Sequence, residues 1–405
     1  MLHRGPGEGK FLLMREWRLV IWLSLAQMIS WGTLFYGFAV IVGPMERELG
    51  WSKTEIYAAA SLGLMVSGLV ALPIGAWMDR HGGLLSMTGG SIAGGLLMIA
   101  WAFVETPAQF YAIWICMGAV LACVLYSPGF AVVAANVGDW KRGILIMTFL
   151  GGLASTAFIP LGHYINDLFG WRRTAMIWGL VNLTVCVAIH LYWLRGTRAK
   201  GEAAAQADAG ASESALKLAM RRPAFWGLGF VYFVYNFAVN AITFHLIGLL
   251  GERDVDPDTI MLVWATIGPM QVAGRMSLFA FGSQINARLI ARVAMAGLLI
   301  GMATLATGVA TLAPLLVFAF FHGAGNGLMT IVKGTIAPDI FGPRAYATVN
   351  GALTVPHQFA AAAAPVAAAA LWGVFGYDGV LLILLGLLSA GFLAMLAVTA
   401  ARRAA

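Results

Sequence analysis

Of the 405 residues, 60% are hydrophobic and only 11% are charged, and the mean hydropathy is +0.83. A soluble domain carries roughly one charged residue in four, so the composition excludes a water-soluble globule and makes lipid the solvent for most of the chain. The formal charge of +7 does not point to nucleic acid, because no basic stripe interleaves with aromatics; it fits orientation in a membrane.

The N terminus, MLHRGPGEGKFLLMREWR, runs into an apolar stretch too long for a signal-peptide core and without a convincing cleavage site, so the first helix is expected to be retained. A spanning helix needs about twenty apolar residues. That template predicts spans near 17–43, 54–78, 84–104, 108–134, 143–166 and 174–195, then 224–250, 257–282, 289–309, 312–333, 344–370 and 377–400. Between the two sets lies RGTRAKGEAAAQADAGASESALKLAMRR, rich in Ala, Gly, Ser and charge, with no apolar face to form a core. The expected fold class is therefore an all-α membrane protein of twelve transmembrane helices. Its N-terminal six-helix bundle covers 1–195, its linker 196–222 and its C-terminal six-helix bundle 223–405.

Nineteen Lys and Arg fall on the termini and even-numbered loops against five on the odd-numbered loops, which predicts cytoplasmic termini and linker. The halves echo one another: GWSKTEI precedes VDPDTI by about 205 positions, and FGWRR precedes FGYDG by about 206. Repeated echoes at one offset predict a tandem repeat of the kind that rocks around a site near the midplane. Cys116, Cys123 and Cys186 all lie in apolar runs and read as small buried hydrophobes rather than disulfide or metal ligands.

GAWMDRHGG, between the second and third spans, sets Gly75, Asp79, Arg80 and Gly82 in a G-x-x-x-D-R-x-G loop. With SWGTLFYGFAV, ELGWS, DWKRGILIMTFLGGLAST and QVAGR, this loop resembles the major facilitator superfamily over nearly the whole chain. Within it the likeness is to the bacterial relatives of monocarboxylate transporters and oxalate:formate antiporters. The resemblance implies that Gly75, Asp79, Arg80 and Gly82 form a cytoplasmic latch and that helices 1, 4, 7 and 10 line the cavity. The chain also departs from these relatives. Gln271 stands where monocarboxylate carriers have an acid, and helix 1 has roughly Val40 where animal members have a lysine. The antiporters' second cation on helix 11 has its nearest counterpart in His357, and GSQINAR, the second-half loop, lacks the acid.

On the predicted spans, every acidic residue falls in a loop, tail or helix end, and Arg275 is the only permanent charge well inside a span. Such an arginine costs about 2.5–3.5 kcal/mol to insert and faces a cavity or a partner. Its fork suits a carboxylate; the plainer use is to bond backbone carbonyls, Gln271 or water and tie helices together. Gln271, four residues earlier, shares its face and is placed to orient it or to touch substrate. Helix 7 carries a polar stripe of Tyr232, Asn236, Asn240 and Thr243, helix 10 one of His322, Asn326 and Thr330, and helix 11 adds Asn350, Thr354, His357 and Gln358. These stripes face either water or neighbouring helices. Trp31 and Tyr126 are the aromatic candidates of the first half. His245, His322 and His357 are the titratable groups, available for packing or for proton coupling.

No Walker loop, zinc spacing or nucleophile elbow occurs, so neither ATP-driven transport nor an enzyme is expected, and no cofactor is expected. The expectation is a monomeric secondary carrier in a bacterial inner membrane, moving a small organic anion with Arg275 as counter-ion, alongside a coupling proton or counter-substrate. The rivals are a carrier of a larger aromatic solute, such as a flavin-like vitamin or a drug, and a membrane sensor built on a carrier scaffold.

Overall fold

The computed structural model describes residues 6–197, 211–280, 286–342 and 346–400; the linker stretch 198–210 and the first part of GSQINAR lie outside the described residues. All regular structure among them is helical. In lipid this is forced, because each backbone N–H and C=O must find its partner within the chain.

In chain order come α1 (Pro6–Ser30), a π-helical turn (Trp31–Phe35), α2 (Tyr36–Leu49), α3 (Lys53–His81), α4 (Gly83–Trp101), α5 (Pro107–Val124) and α6 (Tyr126–Asn136). They are followed by α7 (Trp140–Gly152), α8 (Ala154–Val181), a second π-helical turn (Asn182–Cys186) and α9 (Val187–Trp193). After α10 (Ala211–Met220) come α11 (Pro223–Glu252), α12 (Pro257–Ala280), α13 (Ala287–Ala306), α14 (Leu312–Phe341) and α15 (Tyr346–Ala400). The chain forms two compact units: Met1–Ser214 with Arg344–Gly351, and Ala215–Pro343 with Ala352–Ala405.

Nine helical runs among the described residues are long and apolar enough to cross a membrane. Within the runs Trp140–Trp193 and Tyr346–Ala400, α8 and α15 are each interrupted at a glycine, Gly170 (φ 80°) and Gly376 (φ 67°). That backbone region is open to glycine at little cost. The two glycines are the ones that the FGWRR and FGYDG echo aligns. α12 is 24 residues long but outside that set, its mean hydropathy lowered by Gln271 and Arg275.

The other echo is structural as well. In the first unit, left-handed Gly50 precedes Ser52, whose side chain caps α3 by accepting from the Glu55 N–H. In the second, left-handed Asp254 precedes Asp256, whose carboxylate accepts from the Thr259 N–H at 2.9 Å. Arg172 then bonds Glu48 at 3.0 Å and the Ala102 carbonyl at 2.7 Å, while Arg253 bonds Asp378 at 2.6 Å and the Leu305 carbonyl at 2.9 Å. Partly exposed pairs of this kind contribute at most about 1 kcal/mol each; their effect is to tie three segments at one end of each unit.

Glycines set the helix crossings. In the first unit a Cβ on Gly118 of α5 would overlap the Gly63 carbonyl of α3. In the second, a Cβ on Gly323 of α14 would lie 2.5 Å from the Ile267 carbonyl of α12, and one on Gly327 would overlap the Gln271 carbonyl. Small residues four apart let membrane helices meet backbone to backbone. Gly323→Val is expected to push α12 from α14 and destabilise the protein by about 1–3 kcal/mol, the usual overpacking cost. A thermal unfolding scan of the purified protein checks this, and an unchanged midpoint would refute the crossing as described.

Candidate functional site

The close approach of α12 and α14 puts Arg275 almost wholly inside the second unit, 5% exposed, with its Nε donating to the Gly327 carbonyl at 3.4 Å. No hydrogen bond joins Gln271 to Arg275 among the described residues; the Gln271 backbone instead abuts Gly327. Orientation of the arginine comes from the helix crossing rather than from the glutamine side chain.

Arg275 is not the only cation within a long apolar helix. α14 continues to Phe341, eight residues past the predicted end of its span, and Lys333 sits half-buried within it. Lys333 Nζ is 2.9 Å from His357 Nε2 and 5.9 Å from the centre of the Tyr235 ring. Hydropathy ended the span at the lysine and assigned it to a loop. The missed signal was spacing: His322, Asn326, Thr330 and Lys333 repeat the steps of four, four and three seen in Tyr232, Asn236, Asn240 and Thr243. Moving Lys333 out of the loop removes one charge from the larger side of the tally and leaves the asymmetry intact.

Around these cations the predicted polar stripes meet. Asn236 donates to the His357 carbonyl at 2.6 Å, and Asn240 donates to the Asn236 carbonyl at 2.8 Å and to its Oδ1 at 3.1 Å. Tyr235 donates to Asn326 Oδ1 at 2.6 Å, and His357 Nδ1 lies 3.1 Å from Gln358 Oε1. Asn236, Asn240, Asn326 and His357 thus share one network with Tyr235 and Lys333, while Arg275 bonds the Gly327 carbonyl beside it. His245 and His322 stand apart from it, against the Pro365 carbonyl and the Phe318 ring. Neither Arg275 nor Lys333 has a carboxylate within 4 Å among the described residues.

In the first unit, Trp31 and Tyr126 come together with ring centres 5.0 Å apart. Trp31 opens the first π-helical turn, a wide turn frequent at functional sites. Tyr126 begins α6 after a break in the helix at Leu125, where Gln27 donates to the freed Val124 carbonyl at 2.6 Å. Phe35 lies 5.0 Å from Trp31, and Phe130 stacks on Tyr126 at 5.2 Å. The Trp31 indole N–H is buried with no acceptor among the described residues.

The loop residues are also placed. Asp79 is buried in the last turn of α3; its Oδ1 accepts from the Ala347 N–H at 3.1 Å, and its Oδ2 from the Thr348 N–H at 2.7 Å and hydroxyl at 2.6 Å. These are first-turn amides of α15, where a carboxylate satisfies orphan donors and opposes the helix dipole. Gly75 allows the contact, since a Cβ there would overlap the Ala347 carbonyl, and Gly82 takes φ 76° to turn into α4. Arg80 is exposed.

The sequence profile of the Major Facilitator Superfamily matches residues 22–310. The chain belongs to that superfamily. No curated protein sequence matches it closely enough to count as a relative. Among solved structures, the human organic anion transporter MFSD10 (TETRAN) is similar, with a TM-score of 0.64 and 17% identity over 97% of this chain and 100% of that one. The E. coli fucose:proton symporter FucP is similar, with a TM-score of 0.69 and 12% identity over 94% and 98%. At such identities these likenesses establish the fold.

A major facilitator protein is a transporter and not an enzyme, so this chain is a multi-pass membrane carrier of small molecules. Asp79→Ala is expected to strand two amides and a hydroxyl and to destabilise the protein by about 1–3 kcal/mol, whereas Asp79→Asn, which keeps an acceptor, costs less. Thermal unfolding of both variants reads this order, and equal midpoints would contradict it.

Proposed function

We propose that this carrier is a twelve-helix secondary transporter of small organic anions, monocarboxylate-like metabolites among them, working by alternating access in a bacterial inner membrane with cytoplasmic termini. The observation that carries this reading is the pair of intramembrane cations, Arg275 and Lys333, with no carboxylate beside either among the described residues. Like charges inside one helical unit repel, and an anionic substrate relieves that repulsion while satisfying donors that the protein leaves with single bonds. Arg275 supplies a fork that matches a carboxylate and Lys333 a movable ammonium. Asn236, Asn240, Asn326 and Gln271 supply neutral polar groups near them. The absence of an acid four residues before Arg275 argues against proton coupling through the carboxylate that monocarboxylate carriers use. In this reading Asp79 with Gly75, Arg80 and Gly82 is the latch, its cap on α15 breaking and reforming during the cycle.

A second reading rests on the other unit. A buried indole N–H without an acceptor, set among Tyr126, Phe35 and Phe130, suits a flat aromatic solute that brings its own acceptor.

Uptake of labelled formate, pyruvate, oxalate, benzoate and riboflavin separates the two. On the anion reading, Arg275→Ala and Lys333→Ala each lower carboxylate affinity about 10- to 100-fold, the worth of a charge-assisted hydrogen bond, and Arg275→Lys recovers part of it. Full carboxylate transport by Arg275→Ala would sink it. Riboflavin uptake that Trp31→Ala abolishes and Arg275→Ala spares would favour the aromatic solute.

A further inference from the structure

The hydrogen bond between Lys333 and His357 has a property that the anion site alone does not require. At 2.9 Å, Nζ and Nε2 leave room for one proton between them. An ammonium has donors and no acceptor, so while Lys333 donates, Nε2 must keep its lone pair and the imidazole is neutral. The proton of that neutral ring then sits on Nδ1, which faces Gln358 Oε1 at 3.1 Å. In this tautomer Nδ1 cannot accept from Asn236 Nδ2, which lies 3.3 Å away and makes its short bond to the His357 carbonyl at 2.6 Å.

We propose that His357 is the proton site of the carrier and that Lys333 links it to the substrate, so that one proton and one carboxylate occupy the second unit together. This rests on the anion reading above. An arriving carboxylate takes the donors of Lys333 and offers an acceptor of its own to Nε2. The lone pair that held the lysine is then free to take a proton from water, and the imidazolium N–H points at the anion. One negative and one positive charge enter together, and the net charge of the site does not change. The Lys333 and His357 pair thus does the work of the missing helix 8 acid.

The groups facing His357 support this assignment. From α14 comes Lys333; from α11 come Asn236 and Tyr235, whose ring lies 6.0 Å away and whose hydroxyl is committed to Asn326; from α15 itself comes Gln358. None of these is a carboxylate, so no acid competes for the proton.

Linkage makes the effect reciprocal: if the anion raises proton affinity, protons raise anion affinity. The purified full-length carrier is titrated with formate, pyruvate, oxalate and benzoate, all ionised between about pH 5.5 and about pH 8.5, a range that brackets ordinary histidine titration. Binding is read by thermal shift. The expected result is a Kd that weakens about tenfold per pH unit above the transition, the signature of one linked proton. His357→Gln, at whatever affinity it retains, gives a Kd flat in pH. A second readout needs no variant: a pH dye in weak buffer should report about one proton taken up per anion bound. Wild-type binding independent of pH with no proton uptake overturns the inference and leaves the anion reading standing, as does a slope that persists in His357→Gln. Binding of none of the four anions at any pH overturns the anion reading, and this inference with it.

Discussion

The second unit is organised by the absence of side chains at Gly323 and Gly327. Where these glycines face Ile267 and Gln271, α12 and α14 meet backbone against backbone, and the meeting leaves Arg275 no route outward. An arginine on a helix facing lipid would stretch its side chain toward the headgroups; here the neighbouring helix stands against its base and the guanidinium lies along α14, on the Gly327 carbonyl. The charge is therefore held by geometry, before any polar partner is considered. Lys333 shares the same helix, so whatever moves α14 moves both the carbonyl that receives Arg275 and the second cation.

The two units also divide their chemistry. The first is rich in rings: Trp31, Phe35, Tyr126 and Phe130 gather where the chain departs from regular α-helix, at a π-helical turn and at a break. The second is rich in amides and cations on regular helices. Polar groups in lipid need partners, and the stripes of α11, α14 and α15 supply them to one another through Asn236, Asn326 and His357.

Much of this was legible in the sequence because lipid makes hydropathy a direct report of structure. The span positions, the two echoes and the polar stripes all have physical counterparts: Gly170 and Gly376 share a left-handed backbone, and Ser52 and Asp256 cap corresponding helices. Lys333 was not legible to the same rule. A hydropathy template ends a span at a lysine because lipid rejects one, but this lysine faces His357, and the rule cannot see a partner on another helix. Only the continuation of the α14 stripe by three residues carried that information. Shared helical face likewise does not reveal that the backbone of Gln271 packs directly on Gly327.

The ties at the ends of the two units bear on how the repeat has diverged. Glu48 of the first unit has its counterpart in Glu252, which still holds an indole, that of Trp372, at 3.0 Å, as Glu48 holds Trp171 at 2.6 Å. The position of Arg172, however, has become Asp378, and the balancing cation is the residue after the acid, Arg253. The cation and the acid thus sit on exchanged segments in the two units. Each unit therefore carries an ion pair of its own at that end, with the charges placed in opposite order along the chain.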